Sequence, residues 1–361
     1  MSIDDSYGFS QPRYLSNEAY MPAQEPDTLP YSLINFIAVA QRLKLSFLRI
    51  TWQAARHGLG TGATGSIREA LINLHTSFAF KCVSDRQKEK QSEDWIMRSF
   101  INEVIAHSHP SIERHPRVAH LEGVCWDVAT DEQGEDHVWP VLVFVKSQYG
   151  DLANFMTLPA GRELGLKERV SLCLDLGWAV SDMHAHGFVH GDIKPANALV
   201  FRNKEKYIAK VIDFGFSSQF ADQNELLFVA ASWPWYAPER DRDRVVAAQV
   251  QEMDMFSYGM LCFWVMFERH LSGIVPLPEE AQWAEKYFEE EQQHSGSLSL
   301  SVLDGLKRDE QLTRLAKQLI KDDKNSDDDD LQELGRFFDE ILSYNPEDRV
   351  HAFEQFPYRK L

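Results

Sequence analysis

The chain has 361 residues, of which 44% are hydrophobic, so it is long enough to bury a large core and is typical of a globular protein. Its formal net charge of −18, from 37 basic and 55 acidic side chains, argues against a general binder of nucleic acid or of anionic membranes and is compatible with basic protein substrates. The 4 cysteines are far apart in apolar runs, without the CxxC spacing of a zinc site, which predicts buried free thiols in a reducing compartment.

Two segments precede the part of the chain with a regular apolar pattern. Residues 1–30 are polar and contain several prolines, so we expect a disordered N-terminal arm. Residues 31–46 place Ile34, Ile37 and Ala38 at helical spacing, which predicts a helical N-terminal extension. The sequence shows no basic-then-apolar signal peptide and no membrane-length apolar run, so we expect a cytoplasmic or nuclear protein.

A strand candidate at Leu48–Trp52 is followed by three glycines with the spacing G-x-G-x-x-G, namely Gly60, Gly62 and Gly65. Glycines in this pattern let backbone N–H groups approach a phosphate closely. The same spacing occurs in dinucleotide-binding folds, where a helix begins directly after the last glycine. Ser66–Leu74 could almost form that helix, so the glycines alone leave both interpretations open.

The following elements supply a lysine and a glutamate and favour the first interpretation. Ser77–Val83 is a strand candidate that carries one inward lysine, Lys81. Ser92 and the two acidic residues after it form a helix N-cap signal, and Glu103 then falls on the same face of that helix as the apolar Phe100. A carboxylate on an apolar face needs a cationic partner.

The middle of the chain predicts two strands, a turn and a long helix. The strand candidates Val118–Trp126 and Val138–Val145 precede the polar turn Lys146–Asp151. An amphipathic helix is expected at Lys167–His186, with Gly187 as its cap.

The loop from Phe188 to Asn197 concentrates three polar residues, Asp192, Lys194 and Asn197, between apolar runs. Taken alone it could be a polar surface loop between a helix and a strand. A second carboxylate, Asp213, follows a short apolar strand downstream. Phosphoryl transfer needs these parts: a carboxylate at the attacking hydroxyl, a cation at the γ-phosphate, and an amide with a carboxylate to hold Mg²⁺.

The C-terminal third is predicted to be helical. Asp254 precedes the apolar run Met255–Met266, which is too short for a membrane span and therefore indicates a buried helix. Residues 269–340 have the pattern of amphipathic helices, interrupted by Ser295–Ser297 and by the acidic run Asp327–Asp330, which we expect to be a solvated loop.

These motifs resemble those of the eukaryotic-type protein kinase family: the Gly-rich segment, HGDIKPAN in place of the catalytic loop, DFG at 213–215 and APE at 237–239. The resemblance covers residues 47–356. It implies an α+β, two-lobed protein-kinase-like fold, with a small β-rich N-lobe at 47–146 and a larger helical C-lobe at 147–356. Residues 269–340 would form a helical and acidic insert in the C-lobe, and residues 357–361 a tail.

The resemblance also implies ATP and Mg²⁺ as cofactors and gives each motif residue a role. Asp192 and Lys194 would be catalytic, and Asn197 and Asp213 would hold Mg²⁺. Lys81, paired with Glu103, would contact the α- and β-phosphates, and the hinge backbone would bind adenine. The residues expected to bind the nucleotide are Gly60, Gly62, Gly65, Ala79, Lys81, Glu103, Val145, Ser147 and Asp151.

One departure from the family pattern leaves alternatives open. Gly191 stands where the family's catalytic loop has arginine, and HGD also occurs in small-molecule phosphotransferases of the aminoglycoside and choline kinase type. Those proteins typically lack the APE segment and its arginine partner, here Glu239 and Arg349. We therefore predict a non-RD protein kinase, with Lys194 favouring Ser/Thr substrates. The alternatives are a small-molecule phosphotransferase and a nucleotide-binding pseudokinase scaffold, the latter disfavoured because every catalytic motif residue is present.

Gly191 also bears on regulation. In many kinases the arginine at that position pairs with a phosphate on the activation segment, and a charge-assisted contact of this kind can order a loop. Residues 213–239 contain no threonine, and their hydroxyl residues are Ser217, Ser218, Ser232 and Tyr236. We therefore expect a working conformation without phosphorylation, an activation segment held by apolar residues at 226–229, and control by the N-terminal extension or a regulatory partner bound there.

Overall fold

The computed structural model describes residues 31–48, 58–62, 65–73, 76–130, 134–240, 244–289, 297–321 and 328–349. The expected disordered arm at 1–30 and the tail at 357–361 lie outside these ranges, as do residues 49–52 of the first strand candidate. The described residues form a small lobe built on one sheet and a larger lobe built mainly from helices, which confirms the predicted two-lobed α+β fold.

The small lobe is a five-stranded antiparallel sheet with the strand order β1-β2-β3-β5-β4. Its strands are β1 (Gly58–Gly62), β2 (Gly65–Asn73), β3 (Thr76–Cys82), β4 (Leu121–Thr130) and β5 (Asp136–Val145). Lys81 of β3 lies opposite Ile67 of β2 and Leu142 of β5. Because a strand follows the last glycine, the dinucleotide-binding interpretation is wrong.

Helix α3 (Glu93–His107), preceded by the short α2 (Asp85–Lys90), packs beside this sheet. Its start agrees with the sequence signal, since the Ser92 hydroxyl accepts the N–H of Trp95 at 3.3 Å. Phe100 and Glu103 are both buried on this helix. The helix therefore brings a carboxylate into an apolar environment, as its pattern predicted.

Helix α1 (Leu33–Arg42) lies within residues 31–46, where the apolar spacing predicted a helix, and it belongs to the core of the small lobe. Ser32 and Asn35 form a capping box at its start. Phe36 and Ala40 are fully buried in one apolar cluster with residues of α3, β4 and β5. The Phe36 ring meets Trp126 of β4 edge-on, with centroids 6.1 Å apart.

The large lobe packs around helix α8, most of whose side chains are buried. Its helices are α4 (Pro110–Glu113), α5 (Leu152–Thr157), α6 (Pro159–Arg162), α7 (Leu166–Ala185), α8 (Ala247–Leu271), α9 (Lys286–Glu289), α10 (Leu298–Arg308), α11 (Leu312–Lys321) and α12 (Asp328–Ile341). Among the described residues, no helix combines the length and apolar character that a membrane crossing requires.

The acidic run at 327–330 corrects one expectation. Asp328–Asp330 form the first turn of α12 rather than a loop. Acidic residues are favoured in the first turn of a helix because they face the positive end of its dipole. The loop interpretation is therefore wrong for Asp328–Asp330, and Asp327 lies outside the described residues.

Among the described residues, the large lobe also contains three two-stranded ladders. They pair β6 (Phe188–Val189) with β9 (Ser218–Gln219), β7 (Ala198–Asn203) with β8 (Lys206–Val211), and β10 (Leu226–Phe228) with β11 (Arg244–Val246). The β7–β8 hairpin joins Asn197 at its start to Asp213 just past its end, and the Ile212 N–H donates to the Asn197 carbonyl at 3.0 Å. The two predicted metal ligands are thereby held on neighbouring chain segments.

Candidate active site

The backbone of the loop after β6 is fixed by Asp254 at the start of the buried part of α8. Its carboxylate accepts the N–H of His190 at 2.7 Å and that of Gly191 at 2.9 Å. The same carboxylate lies 3.1 Å from Nε2 of His184 on α7. Gly191 has φ +76°, a left-handed conformation that glycine adopts without strain. The loop that carries Asp192 is therefore anchored on two long helices.

The two oxygens of Asp192 have different environments. Oδ2 accepts from Nζ of Lys194 at 2.7 Å and from Nδ2 of Asn197 at 3.0 Å. Oδ1 is buried and has no hydrogen-bond partner among the described residues. An anchored carboxylate with one unused oxygen is suited to orient a hydroxyl and to accept its proton.

Lys81 joins the two lobes through a buried ion-pair network. Its Nζ lies 2.9 Å from Oε2 of Glu103 and 2.8 Å from Oδ1 of Asp213. Burial alone would lower the pKa of Lys81, but the two carboxylates outweigh this effect and raise that pKa to about 12. The lysine is therefore a permanent cation at the place predicted to meet the nucleotide phosphates.

Oxygen atoms suited to Mg²⁺ lie close to this network. Asn197 uses Nδ2 for its contacts with Asp192, so its amide oxygen is the atom that fits a metal, and the Asp213 carboxylate is the second candidate. The described residues hold no cluster of three or more His, Cys, Asp or Glu ligands. This donor set fits Mg²⁺, which is commonly held by one or two protein oxygens together with substrate phosphates.

The glycine segment forms a hairpin next to the strand of Lys81. Gly60 and Gly62 lie in β1, and Gly62 pairs with Gly65 at the start of β2. The turn residues 63–64 lie outside the described ranges. Ala79 is buried on β3 opposite Phe144 of β5. The hairpin is consistent with a phosphate-binding turn, and that role stays a prediction.

The predicted hinge lies at the end of β5. Val145 is partly exposed at the strand end, and Ser147 is buried against the carbonyl oxygens of Gly150 and Val200. Asp151 is the N-cap of α5, where its carboxylate accepts the N–H of Asn154 at 2.8 Å and Nδ2 of the same residue at 2.6 Å. Burial raises the pKa of Asp151. Both carboxylate oxygens thus have local partners, so Asp151 has a structural role that the sequence did not indicate.

The segment after the metal motif is tied to the catalytic loop and to the end of the chain. Ser232 accepts from Nζ of Lys194 at 2.8 Å. Arg349 binds both oxygens of Glu239, at 2.5 and 2.9 Å, and its Nη1 also donates to the Glu252 carbonyl at 3.0 Å. The predicted pairing of Glu239 with Arg349 is confirmed.

A lysine that sequence reasoning missed supports the same segment. Lys307 of α10 is buried, and its Nζ donates to the carbonyls of Pro234 at 2.6 Å and Tyr236 at 3.2 Å. The ammonium also lies 3.8 Å from the centroid of the Tyr236 ring. Nothing in the local sequence distinguishes Lys307 from a solvated helix lysine, because its partners lie about seventy residues earlier in the chain.

Comparisons with known proteins agree with this geometry. Residues 54–357 match the family model of the protein kinase domain. The human dual specificity testis-specific protein kinase 2 is 31% identical over 150 residues, which cover 41% of this chain and 24% of that protein. The human serine/threonine-protein kinase ULK3 is 26% identical over 211 residues, 58% of this chain and 40% of the relative. Mitogen-activated protein kinase kinase kinase 13-A of Xenopus laevis is 26% identical over 163 residues, 45% and 15%.

These alignments span less than half the length of each relative, so they support the domain rather than the activity of a whole protein. The family match covers most of the chain and includes every candidate catalytic and metal-binding residue discussed above. With the two-lobed fold, the Lys81–Glu103 pair and the Glu239–Arg349 pair in place, the chain belongs to the protein kinase domain family.

Proposed function

We propose that this chain transfers the γ-phosphate of ATP, with Mg²⁺, to Ser or Thr hydroxyls of protein substrates. The observation that carries the proposal is the pair of environments at Asp192, where Oδ2 is anchored and Oδ1 is unused. This carboxylate stands in one loop with Lys194 and Asn197. Phosphoryl transfer depends mainly on positioning and on charge stabilisation, which such a preorganised loop supplies.

Each residue has a distinct task in this proposal. Asp192 orients the attacking hydroxyl and accepts its proton through Oδ1, and Lys194 neutralises charge on the transferring phosphoryl group. Lys81, held by Glu103, contacts the α- and β-phosphates of ATP. Asn197 and Asp213 hold Mg²⁺, which when bound neutralises phosphate charge. In the described conformation Lys81 contacts Asp213 directly at 2.8 Å, so both groups already face one site.

A protein substrate is favoured over a small alcohol by the segment at residues 232–239, which is held by several buried side chains. We call this segment the substrate platform. Lys194, Lys307 and Arg349 each bind a different part of this segment. A phosphotransferase for small molecules has no evident need for such a platform. The name of one relative, the dual specificity testis-specific protein kinase 2, includes dual specificity, so phosphorylation of tyrosine is a further outcome to be tested.

The test is a transfer assay with γ-labelled ATP and Mg²⁺ against proteins, peptides with Ser, Thr or Tyr acceptors, and amino alcohols. Asp192→Asn serves as the matched control, since it keeps the size of the side chain and removes its basicity. Label on Ser or Thr that the control loses supports the proposal. Label only on a small alcohol would establish the small-molecule alternative, and a nucleotide-dependent thermal shift without transfer would establish the scaffold.

The other partner assignments belong to the same proposal. They are ATP and a protein substrate, without nucleic acid or membrane, in the cytoplasm or nucleus. We also propose that the unphosphorylated chain is in its working conformation. Ser217, the first hydroxyl residue of the activation segment, is only 2% exposed and donates to the His190 carbonyl at 3.1 Å. Ser232 is likewise buried against Lys194, so two of the candidate phosphate acceptors are occupied by internal contacts.

A further inference from the structure

Four side chains from separate parts of the chain form a continuous arrangement that we call the arginine–aromatic stack. Its members are Tyr31, Arg98, Phe228 and Arg244. The guanidinium carbon of Arg98 on α3 lies 4.0 Å from the centroid of the Phe228 ring, and that of Arg244 lies 4.3 Å from the same centroid. Arg98 also lies 5.9 Å from the Tyr31 ring, just before α1. One aromatic ring thus has two arginines within cation–π distance.

The stack joins the elements whose relative position decides whether the site is assembled. Phe228 belongs to the activation segment, and Arg98 is on the helix that carries Glu103. Tyr31 is tied to α3 a second time, because its N–H donates to the Asp94 carboxylate. Through Arg98, Phe228 is therefore connected both to α3 and to Tyr31, which begins the N-terminal segment Tyr31–Arg42 that contains α1.

The backbone around Phe228 is fixed in the same region. Phe228 pairs directly with Arg244 in the β10–β11 ladder. Two residues later, the Ala230 N–H donates to the Gly191 carbonyl at 3.1 Å, and the Arg240 guanidinium donates to the Ala230 carbonyl at 3.2 Å. The segment is thus bonded to the catalytic loop through the backbone of Gly191, where no side-chain cation is available.

We propose that Phe228 is a positioning residue: clamped between Arg98 and Arg244, it holds the unphosphorylated activation segment against α3, and Tyr31 extends the clamp to the N-terminal segment. The expected effect on kcat rests on the proposed kinase activity, whereas the expected effect on the order of the activation segment does not. The clamp gives the N-terminal segment a direct contact with the helix that carries Glu103.

The test uses Phe228→Leu, which keeps an apolar side chain and removes the ring, with Phe228→Tyr as the matched control that keeps it. Hydrogen exchange is measured at the amides of residues 226–230 and of α3 in the full chain after phosphatase treatment. A cation–π contact of this kind has a magnitude that corresponds to about tenfold in an equilibrium constant. We therefore expect exchange to be about tenfold faster in Phe228→Leu and within twofold of wild type in Phe228→Tyr.

A double-mutant cycle with Arg98→Met separates the clamp from general packing, because the methionine keeps the apolar stem and removes the cation. The cycle is expected to be non-additive, with the double variant losing less than the sum of the two single variants, because both singles remove the same Arg98–Phe228 contact. Equal behaviour of Phe228→Leu and Phe228→Tyr, or strict additivity, would overturn the inference. The kinetic counterpart is a fall in kcat with little change in the KM of the peptide. If neither the wild type nor any variant transfers phosphate but the expected exchange differences are observed, the proposed function is wrong and the structural role of Phe228 is still supported.

Discussion

Lys307 provides a prediction in which pH is the perturbation. The side chain is buried between α10 and the substrate platform, and burial lowers its pKa from 10.5 to about 8, against the opposing effect of Asp304. In the unfolded chain the lysine keeps its ordinary pKa. Between these two values the folded protein has released the proton and the unfolded chain still binds it.

The direction and size of the effect follow from this difference. Because the unfolded state binds more protons between pH 8 and 10.5, the contribution of Lys307 to the free energy of unfolding increases with pH across that window. From pH 7 to pH 9 the gain is about 1.4 kcal/mol, and it levels off at about 3 kcal/mol above pH 10.5. The neutral amine still donates hydrogen bonds, so the carbonyls of Pro234 and Tyr236 keep their partner.

The assay is urea unfolding followed by tryptophan fluorescence, at pH 7 and pH 9, for wild type and for Lys307→Met. Methionine has a similar length and does not titrate, so subtracting its pH dependence removes the contribution of all other groups. We expect the stability of the wild type to rise relative to Lys307→Met by about 1.4 kcal/mol between the two pH values. Parallel curves, or a relative loss of wild-type stability at pH 9, would refute the placement of a buried ammonium here.

Three further predictions concern the catalytic loop, the platform and phosphorylation. Asp192→Asn should lower kcat roughly 10²–10⁴-fold. Asp213→Asn should abolish turnover, because a neutral amide leaves the charge of the metal and the phosphates unbalanced. Near wild-type rates of either variant in labelled-ATP assays would contradict the role of that residue. Glu239→Gln should lower the free energy of unfolding by about 3–5 kcal/mol in urea titrations, because it leaves the fully buried Arg349 guanidinium without its carboxylate. A loss below about 1 kcal/mol would show that this ion pair does not contribute substantially to stability. Phosphatase treatment should leave the transfer rate unchanged, and a large loss reproduced by one alanine variant would reveal a phosphate switch; the variants to compare are Ser217→Ala, Ser218→Ala and Ser232→Ala.

Much of the site could be predicted from the sequence because its parts are short motifs with demanding chemistry. Asp192, Lys194 and Asn197 share one loop, and only a few residues separate Asp213 from the strand that positions it. Helix α3 was predicted from its N-cap at Ser92, and the buried Glu103 then required a cation. Local spacing therefore singled out these residues, and the resemblance to the protein kinase family assigned them to one site.

The remaining features depend on contacts between distant parts of the chain. Lys307 has no local pattern that sets it apart, and the apolar run at 226–229 does not reveal the arginines that contact Phe228, since these partners are fixed only when the lobes are assembled. Asp151 was predicted to bind the nucleotide, which stays a prediction, and its additional role as the cap of α5 depends on the backbone turn that begins the helix. The acidic run was misassigned because charge alone does not separate a solvated loop from the first turn of a helix.

The packing of α1 means that this helix can dock only after the later parts of the small lobe have been synthesised. The buried side of this helix, at Phe36 and Ala40, packs on α3, β4 and β5, and the last of these strands ends at Val145. At about 5–20 residues per second, the ribosome needs roughly 5–20 s to synthesise the roughly 100 residues between Arg42 and Val145. A helix of 10 residues is only marginally stable by itself in water. Helix α1 is synthesised before the elements on which it packs and is therefore among the last parts of the small lobe to dock, so its apolar face stays open to chaperones during that interval.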